Sequence, residues 1–303
     1  MAGVDQPEPD LDLYYLSEVV TNKIEAQLGQ SLIEVSPVSG GDINDARLIT
    51  VQDGQQFFVK INEGPQAYPM FQAEARGLEM LRSAAPAEIL IPDFIACEPA
   101  GEAAFLLLEY IQTGTPLSGF WPAFGRGLAK LHRQSNDQFG LDHANFIGRL
   151  PQSNGAHDDW PGFYTHERLL PQGKMAYEQT LLDLKDMQYL ERLCKQLGDL
   201  YPTEPPALIH GDLWSGNYLV HTNGQAVLID PSVAYSHREM DLAMTRLFGG
   251  FPEEFYRAYQ ESYPLDSGWE DRLPLGQLYY LLVHLNMFGT SYLPSVKRIL
   301  KQF

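Results

Sequence analysis

Cysteine is scarce: Cys97 and Cys194 are the only two in 303 residues, too few for a disulfide framework or a four-Cys metal site. Both read as ordinary buried or half-buried thiols. Positive charge is short as well, with 21 Lys and Arg against 39 Asp and Glu and a formal charge of −18. Nucleic-acid binders concentrate Lys and Arg on one face, so no nucleic-acid partner is expected. A phosphorylated small molecule stays possible, because one Lys and a metal ion can carry that charge locally. No apolar run is long enough to span a bilayer: LYYLLVHL at 278–285 is short and interrupted by His284. The opening MAGVDQPEPDLDLYY is acidic and proline-bearing, the opposite of a secretion signal. The expected setting is cytoplasmic, away from membranes. The chain also lacks G-x-x-x-x-G-K-[ST], which excludes a Walker-type nucleotide site, and it shows neither internal repeat nor low-complexity linker.

What is present is a globular composition, 44% hydrophobic and 12% aromatic, at a length suited to two domains or two lobes. Residues 11–29 carry Leu13, Leu16, Val20, Ile24 and Leu28 near helical spacing and stop at Gly29. Runs 32–38, 46–52 and 56–61 read as strands, separated by the turn-rich SGGDIND and by a DG hairpin signal. FQAEARGLEMLRSA at 71–84 reads as an amphipathic helix, and AAFLLLEYI at 103–111 as a buried strand. After the GTP turn at 114–116 helical periodicity dominates, including 163–184, 186–199 and 272–301. Two strand-like pieces, 217–221 and 226–229, interrupt it and form a hairpin. The expected fold is α+β and two-lobed. An N-terminal antiparallel sheet with helices covers 1–110, and a larger, mainly helical lobe covers 111–303.

That hairpin presents HGDLWSGNYLV at its entrance and Asp230 of VLID at its exit. Asp212, Asn217 and Asp230 then sit on loops that a scaffold can aim at one point, and their hard oxygens suit Mg²⁺. The pattern matches phosphoryl transfer: an Asp takes the nucleophile's proton, an Asn five residues on holds metal, and a further Asp holds metal at the phosphates. Taken alone, the pattern is weak, and each polar residue more simply fits a turn cap. Upstream, Lys60 on a strand and Glu74 on the next helix match a Lys that holds α and β phosphates and is itself held by a Glu. The loop residues Gly40, Gly41, Asp42, Ile43 and Asn44 lie where a Gly-bearing loop would cover phosphates, although a plain hairpin turn has the same look. The backbone of Glu109, Tyr110 and Ile111 is placed to bond an adenine edge, or simply to end a strand.

HGDLWSGN, with LIDPSVAYSHREMDLAMTRLFGGFP, DDWPGFYTHERLLPQ and FVKIN followed by FQAEARGLEMLR, resembles the fructosamine kinase (ketosamine 3-kinase) family, in the aminoglycoside-phosphotransferase-like branch of the protein kinase fold. The resemblance runs from about residue 15 to the C-terminus. It implies a kinase-like fold and ATP- and Mg²⁺-dependent phosphorylation of the 3-hydroxyl of a ketosamine, free or on a glycated protein. The unstable product releases the amine, which amounts to deglycation. By position it makes Asp212 the base, Asn217 and Asp230 the Mg²⁺ ligands, Lys60 the phosphate contact, Glu74 its partner and Glu109–Ile111 the adenine hinge. Some relatives carry Cys where this chain has Asp42, which argues against redox control through that loop.

Other residues stay two-sided. Trp214 fits either contact with the sugar and its amine or bracing of the loop. Asp158, Asp159 and Trp160 fit either the cationic amine or the cap of the next helix. His210 and Asp241 read as anchors of the loop rather than proton carriers. The rival functions are a related kinase for an aminoglycoside, choline or homoserine, and a non-catalytic binding protein on the same fold. The second is disfavoured by the presence of Lys60, Asp212, Asn217 and Asp230 together.

Overall fold

The computed structural model describes residues 16–38 and 44–303. The chain divides into two compact units, the described residues up to Ala75 with Asp93–Ile111, and Arg76–Pro92 with Gln112–Phe303. In chain order the first stretch holds α1 (Glu18–Leu28), β1 (Leu32–Pro37), β2 (Asp45–Val51), β3 (Gln56–Glu63), α2 (Ala67–Ala84), β4 (Ile89–Leu90), β5 (Phe94–Ala100) and β6 (Ala103–Glu109). Ser17 caps α1 by accepting from the Val20 N–H, and Gly29 ends it at φ 66°.

The first unit is an antiparallel sheet in the order β1-β2-β3-β6-β5. Its core joins Val20 and Ile24 of α1 to Ile49, Val59, Phe105 and Leu107. Strand alternation decides what β3 offers: Val59 enters this core, so Lys60 points to the opposite face. β5 was not read from the sequence. Cys97 lies on it, and burial, with the charges of Glu74 and Glu98, pushes its thiol up to about 12. Cys194 is pushed up to about 11 by burial, so both are inert free thiols.

The second unit continues with α3 (Phe120–Leu131), β7 (Asn145–Ile147), β8 (Leu150–Gln152), α4 (Trp160–Phe163), α5 (Leu170–Glu178), α6 (Leu184–Leu200), β9 (Ala207–Ile209), β10 (Tyr218–Val220), β11 (Ala226–Leu228), β12 (Ala234–Ser236), α7 (Glu239–Leu247), α8 (Glu253–Ser262), α9 (Trp269–Phe288) and α10 (Leu293–Gln302). β10 and β11 pair antiparallel, and β11 pairs with β4 in parallel. The helix expected over 163–184 is divided: a π-helical turn at Tyr164–Leu169 separates α4 from α5. The terminal helix expected over 272–301 breaks at Gly289, whose φ of 89° and ψ of −161° lie outside helical space. No helix of the described residues is long and apolar enough to cross a membrane.

A buried ionic cluster locks the start of α7. Arg238 pairs with Glu204 and Arg272 with Glu239, each at 2.6 Å. His237 sits beside them, fully buried, its Nε2 3.8 Å from Glu204. Burial pushes its imidazole down to about 4, helped by the two guanidiniums and opposed by Glu204. A His lowered in this way contributes stability that is present above its unfolded value near 6.5 and lost as pH falls toward 4. Chemical unfolding followed from pH 7 to pH 4 is expected to show this decline, up to about 1.4 kcal/mol per pH unit from one group. His237→Asn should flatten it.

Candidate active site

β9 leads into His210, Gly211 and Asp212, and this loop is held by one carboxylate. Asp241, fully buried in the first turn of α7, accepts the His210 N–H at 2.8 Å, the Gly211 N–H at 2.9 Å and His132 Nε2 at 3.0 Å. Burial works to raise its pKa but is outweighed by the His132 hydrogen bond and the Gly211 N–H, among others, which hold it below the usual carboxylate value. His210 takes the Asp212 N–H on Nδ1 at 3.3 Å and donates from Nε2 to the Ile229 carbonyl at 2.9 Å. With both ring nitrogens committed and burial pushing its pKa down, it is a neutral strut. Gly211 is obligatory: at φ 86° a Cβ would lie 1.9 Å from the Ser232 carbonyl oxygen.

Asn217 donates Nδ2 to the Asp212 carbonyl at 2.9 Å and to its Oδ2 at 3.1 Å. Its side-chain Oδ1 is therefore the atom left for a cation. The Asn217 carbonyl accepts the Ile229 N–H at 3.1 Å, which ties the loop to the strand that delivers Asp230. Asp230 has φ 55°, one of two non-glycine residues with positive φ among those described. Asp tolerates this conformation better than most residues, and such strain concentrates at functional sites. Burial first, then the Asp230 charge, push the half-buried Asp212 up to about 7 against the Asn217 hydrogen bond. Two carboxylates in one field, flanked by an amide oxygen, fit a hard cation that keeps few protein ligands, as Mg²⁺ does. No cluster of three His, Cys, Asp or Glu side chains among the described residues offers a richer metal site.

In the first unit Lys60 and Glu74 meet at 2.8 Å, with Lys60 only 5% exposed. Breaking such a pair strands a buried charge. Asn44 accepts from Asn62 Nδ2 at 2.8 Å, whereas Gly40, Gly41, Asp42 and Ile43 lie outside the described residues. Glu109 is tied to Asp93 twice: its N–H donates to the Asp93 carbonyl at 2.9 Å, and its carboxylate accepts the Asp93 N–H at 3.1 Å. The chain leaves the strand at Tyr110, and Ile111 is buried.

The candidate substrate residues divide. Trp214 is 39% exposed, its ring lying over Gly216, where a Cβ would come within 2.3 Å of the indole. Asp158 accepts from Gln138 at 2.7 Å, and Asp159 caps α4 by accepting the Gly162 N–H at 2.7 Å. Trp160 corrects the expectation of a substrate contact: it is buried, stacked on Tyr164 at 4.6 Å. Trp160→Ala is expected to cost about 3–5 kcal/mol of stability with no selective rise in sugar KM, measurable by denaturant unfolding and initial rates.

Sequence reasoning missed the support behind Asp230. Asn145 donates to the Val233 carbonyl at 2.8 Å, accepts from Gln152 at 2.8 Å and from Asn154 at 2.9 Å, and Arg168 donates to Asn154 at 2.7 Å. Ser232 adds a bond to the Phe146 carbonyl at 2.7 Å. The only trace of this network in the sequence is Arg168, inside the 158–172 segment.

A model of the family described as fructosamine kinase matches residues 16–303. The chain belongs to the fructosamine kinase family. A "Probable ketoamine kinase" of Lactiplantibacillus plantarum is 46% identical over 273 residues, covering 89% of this chain and 94% of that one. The chloroplastic protein-ribulosamine 3-kinase of Oryza sativa subsp. japonica is 35% identical, covering 89% and 78%. Among solved structures, a Thermobifida fusca protein provisionally named fructosamine-3-kinase has a TM-score of 0.83 and 32% identity, covering 93% and 97%. An aminoglycoside phosphotransferase at 16% identity and a TM-score of 0.62 shares the fold. The chain is thus an ATP-dependent kinase with the kinase-like architecture of these proteins.

Proposed function

We propose that this chain transfers the terminal phosphoryl group of ATP to the 3-hydroxyl of a ketosamine, a sugar joined to an amine, and so starts release of that amine. The observation that carries the reading is the Asp212–Asn217 pair on an Asp241-anchored loop that is tied through Ile229 to Asp230, in a member of the fructosamine kinase family. The relative named protein-ribulosamine 3-kinase supports the choice of acceptor.

Asp212 would accept the hydroxyl proton, and its carboxylate is oriented by the Asn217 amide. It need not be a strong base, because positioning and charge neutralisation dominate a loose transition state. Asn217 Oδ1 and Asp230 would hold Mg²⁺, which when bound neutralises phosphate oxygens. Lys60, fixed by Glu74, would contact the α and β phosphates. The loop at Gly40–Asn44 would cover them, and the Glu109–Ile111 backbone would bond adenine.

Glu74→Gln is expected to lower kcat/KM for ATP by about tenfold or more by letting Lys60 drift, with little change in sugar KM, as read from initial rates at varied ATP. The test of the function is ATP consumption against ribulosamine, erythrulosamine, fructosamine, choline and aminoglycosides. Turnover confined to the ketosamines is expected. Preference for choline or an aminoglycoside would replace the reading.

A further inference from the structure

Three of the eight large apolar side chains exposed among the described residues, Trp214, Phe248 and Phe288 at 39%, 43% and 49%, belong to one strip. Trp214 meets Phe248 edge-on at 6.3 Å, Phe248 meets His284 at 5.0 Å, and His284 meets Phe288 at 5.5 Å and Tyr292 at 5.1 Å. The rings come from segments far apart in sequence: the loop after Asp212, the end of α7, the last turns of α9 and the turn that follows. The backbone holds them in place. At Gly250, whose φ is 93°, a Cβ would lie only 2.8 Å from that of Ser215, so the turn after Phe248 rests directly on the catalytic loop.

A contiguous exposed aromatic surface costs solubility, and in soluble proteins it marks a binding site. Its chemistry points to a cation on an apolar stem. Aromatic faces attract ammonium groups, and lysine methylenes lie well on apolar surface. The strip's own titratable ring is disfavoured as a cation: His284 donates Nδ1–H to the Tyr280 carbonyl at 2.7 Å, and burial lowers its pKa. Arg149 keeps its positive charge while donating to the Met287 carbonyl, next to Phe288, at 3.0 Å. The chain's formal charge of −18 favours basic over acidic peptides.

We infer that the Phe248–His284–Phe288–Tyr292 surface docks the amine side of the acceptor, and that its occupant is a peptide bearing a ketosamine on a lysine side chain. This rests on the ketosamine reading above. With the acceptor hydroxyl at Asp212, the amine lies two carbons away along the sugar, which a compact adduct completes near Trp214. A lysine stem and flanking peptide would extend that adduct past Trp214 along the ring-to-ring path through Phe248 and His284 to Phe288 and Tyr292. Those distal rings are then specificity determinants that set KM for peptide-borne substrates.

The test compares kcat/KM for two ribulose adducts, one on methylamine and one on the central lysine of a neutral hexapeptide. The full-length wild type, Phe288→Ala and Phe248→Ala are assayed with Mg²⁺ and ATP. The peptide-to-methylamine ratio is expected to fall about tenfold in Phe288→Ala, mainly through KM, and in the same direction in Phe248→Ala. A ratio unchanged within twofold in both variants overturns the inference while leaving the ketosamine reading intact. Wild-type protein that phosphorylates neither adduct removes that reading and this inference with it. Sedimentation of the same proteins supplies the last outcome: a wild-type dimer dissociated by Phe288→Ala would make the strip an interface between copies and overturn the peptide assignment.

Discussion

Asp212→Asn is expected to lose at least about 10²-fold in kcat and yet to unfold at a higher temperature than the parent above pH 7 in metal-free buffer. The loss follows from the side chain's position. It is the acid on the loop fixed by Asp241, and its carboxylate is aimed by Asn217. An amide keeps the shape but takes no proton. The gain follows from its environment: burial and the Asp230 charge push the Asp212 carboxyl up to about 7. A carboxyl whose pKa is raised on folding contributes stability that is fully present below its unfolded value of 3.8 and lost as pH rises through about 7. Above that pH the metal-free protein carries two repelling carboxylates, and the neutral amide removes one. Kinetics and thermal melts at pH 5 and pH 8 check both halves. Retention of more than about a tenth of wild-type kcat would remove Asp212 from the reaction, and an Asn variant less stable at pH 8 would contradict the electrostatic account.

Asp241→Ala is expected to cost about 3–5 kcal/mol of stability and most of the activity together. The carboxylate is fully buried and serves three donors, the His210 and Gly211 N–H groups and His132. Removing it strands all three without water, which is worse than losing the bonds themselves. His132 then loses one of its two ring contacts, the other being Tyr259 at 2.8 Å. Because Gly211 and Asp212 are adjacent, the Asp212 carboxylate shifts with the loop. Urea unfolding and initial rates should therefore fall together. A variant of normal activity and lowered stability would mean that the loop holds its own geometry.

The contrast between these residues shows what is legible in a sequence. Lys60 on β3 and Glu74 on α2 are readable because strand alternation and helical periodicity place them, and their 2.8 Å pairing follows from adjacent elements. The β10–β11 hairpin is readable from its TNGQ turn and short apolar runs. Trp160 is not, because an indole next to two acids looks the same whether it faces ligand or core. Only packing against Tyr164 decides. The Asn145–Gln152–Asn154–Arg168 network is invisible for a different reason: short polar strands have no periodicity, and their partners are fixed by tertiary structure alone. The break at Gly289 needed a backbone angle that a helical pattern running on both sides concealed. The aromatic strip is likewise a product of folding, since no local window contains Trp214, Phe248 and Phe288 together.

The central claim is the transfer of phosphate from ATP to one sugar hydroxyl. Its most direct test is incubation of the ribulose adduct of lysine with Mg²⁺ and ATP, with the product's phosphate position assigned by NMR. Phosphate on the 3-oxygen, absent when Asp212→Asn replaces the wild type, is predicted. Phosphate on another hydroxyl, or no ATP-dependent transfer to any ketosamine, would contradict it.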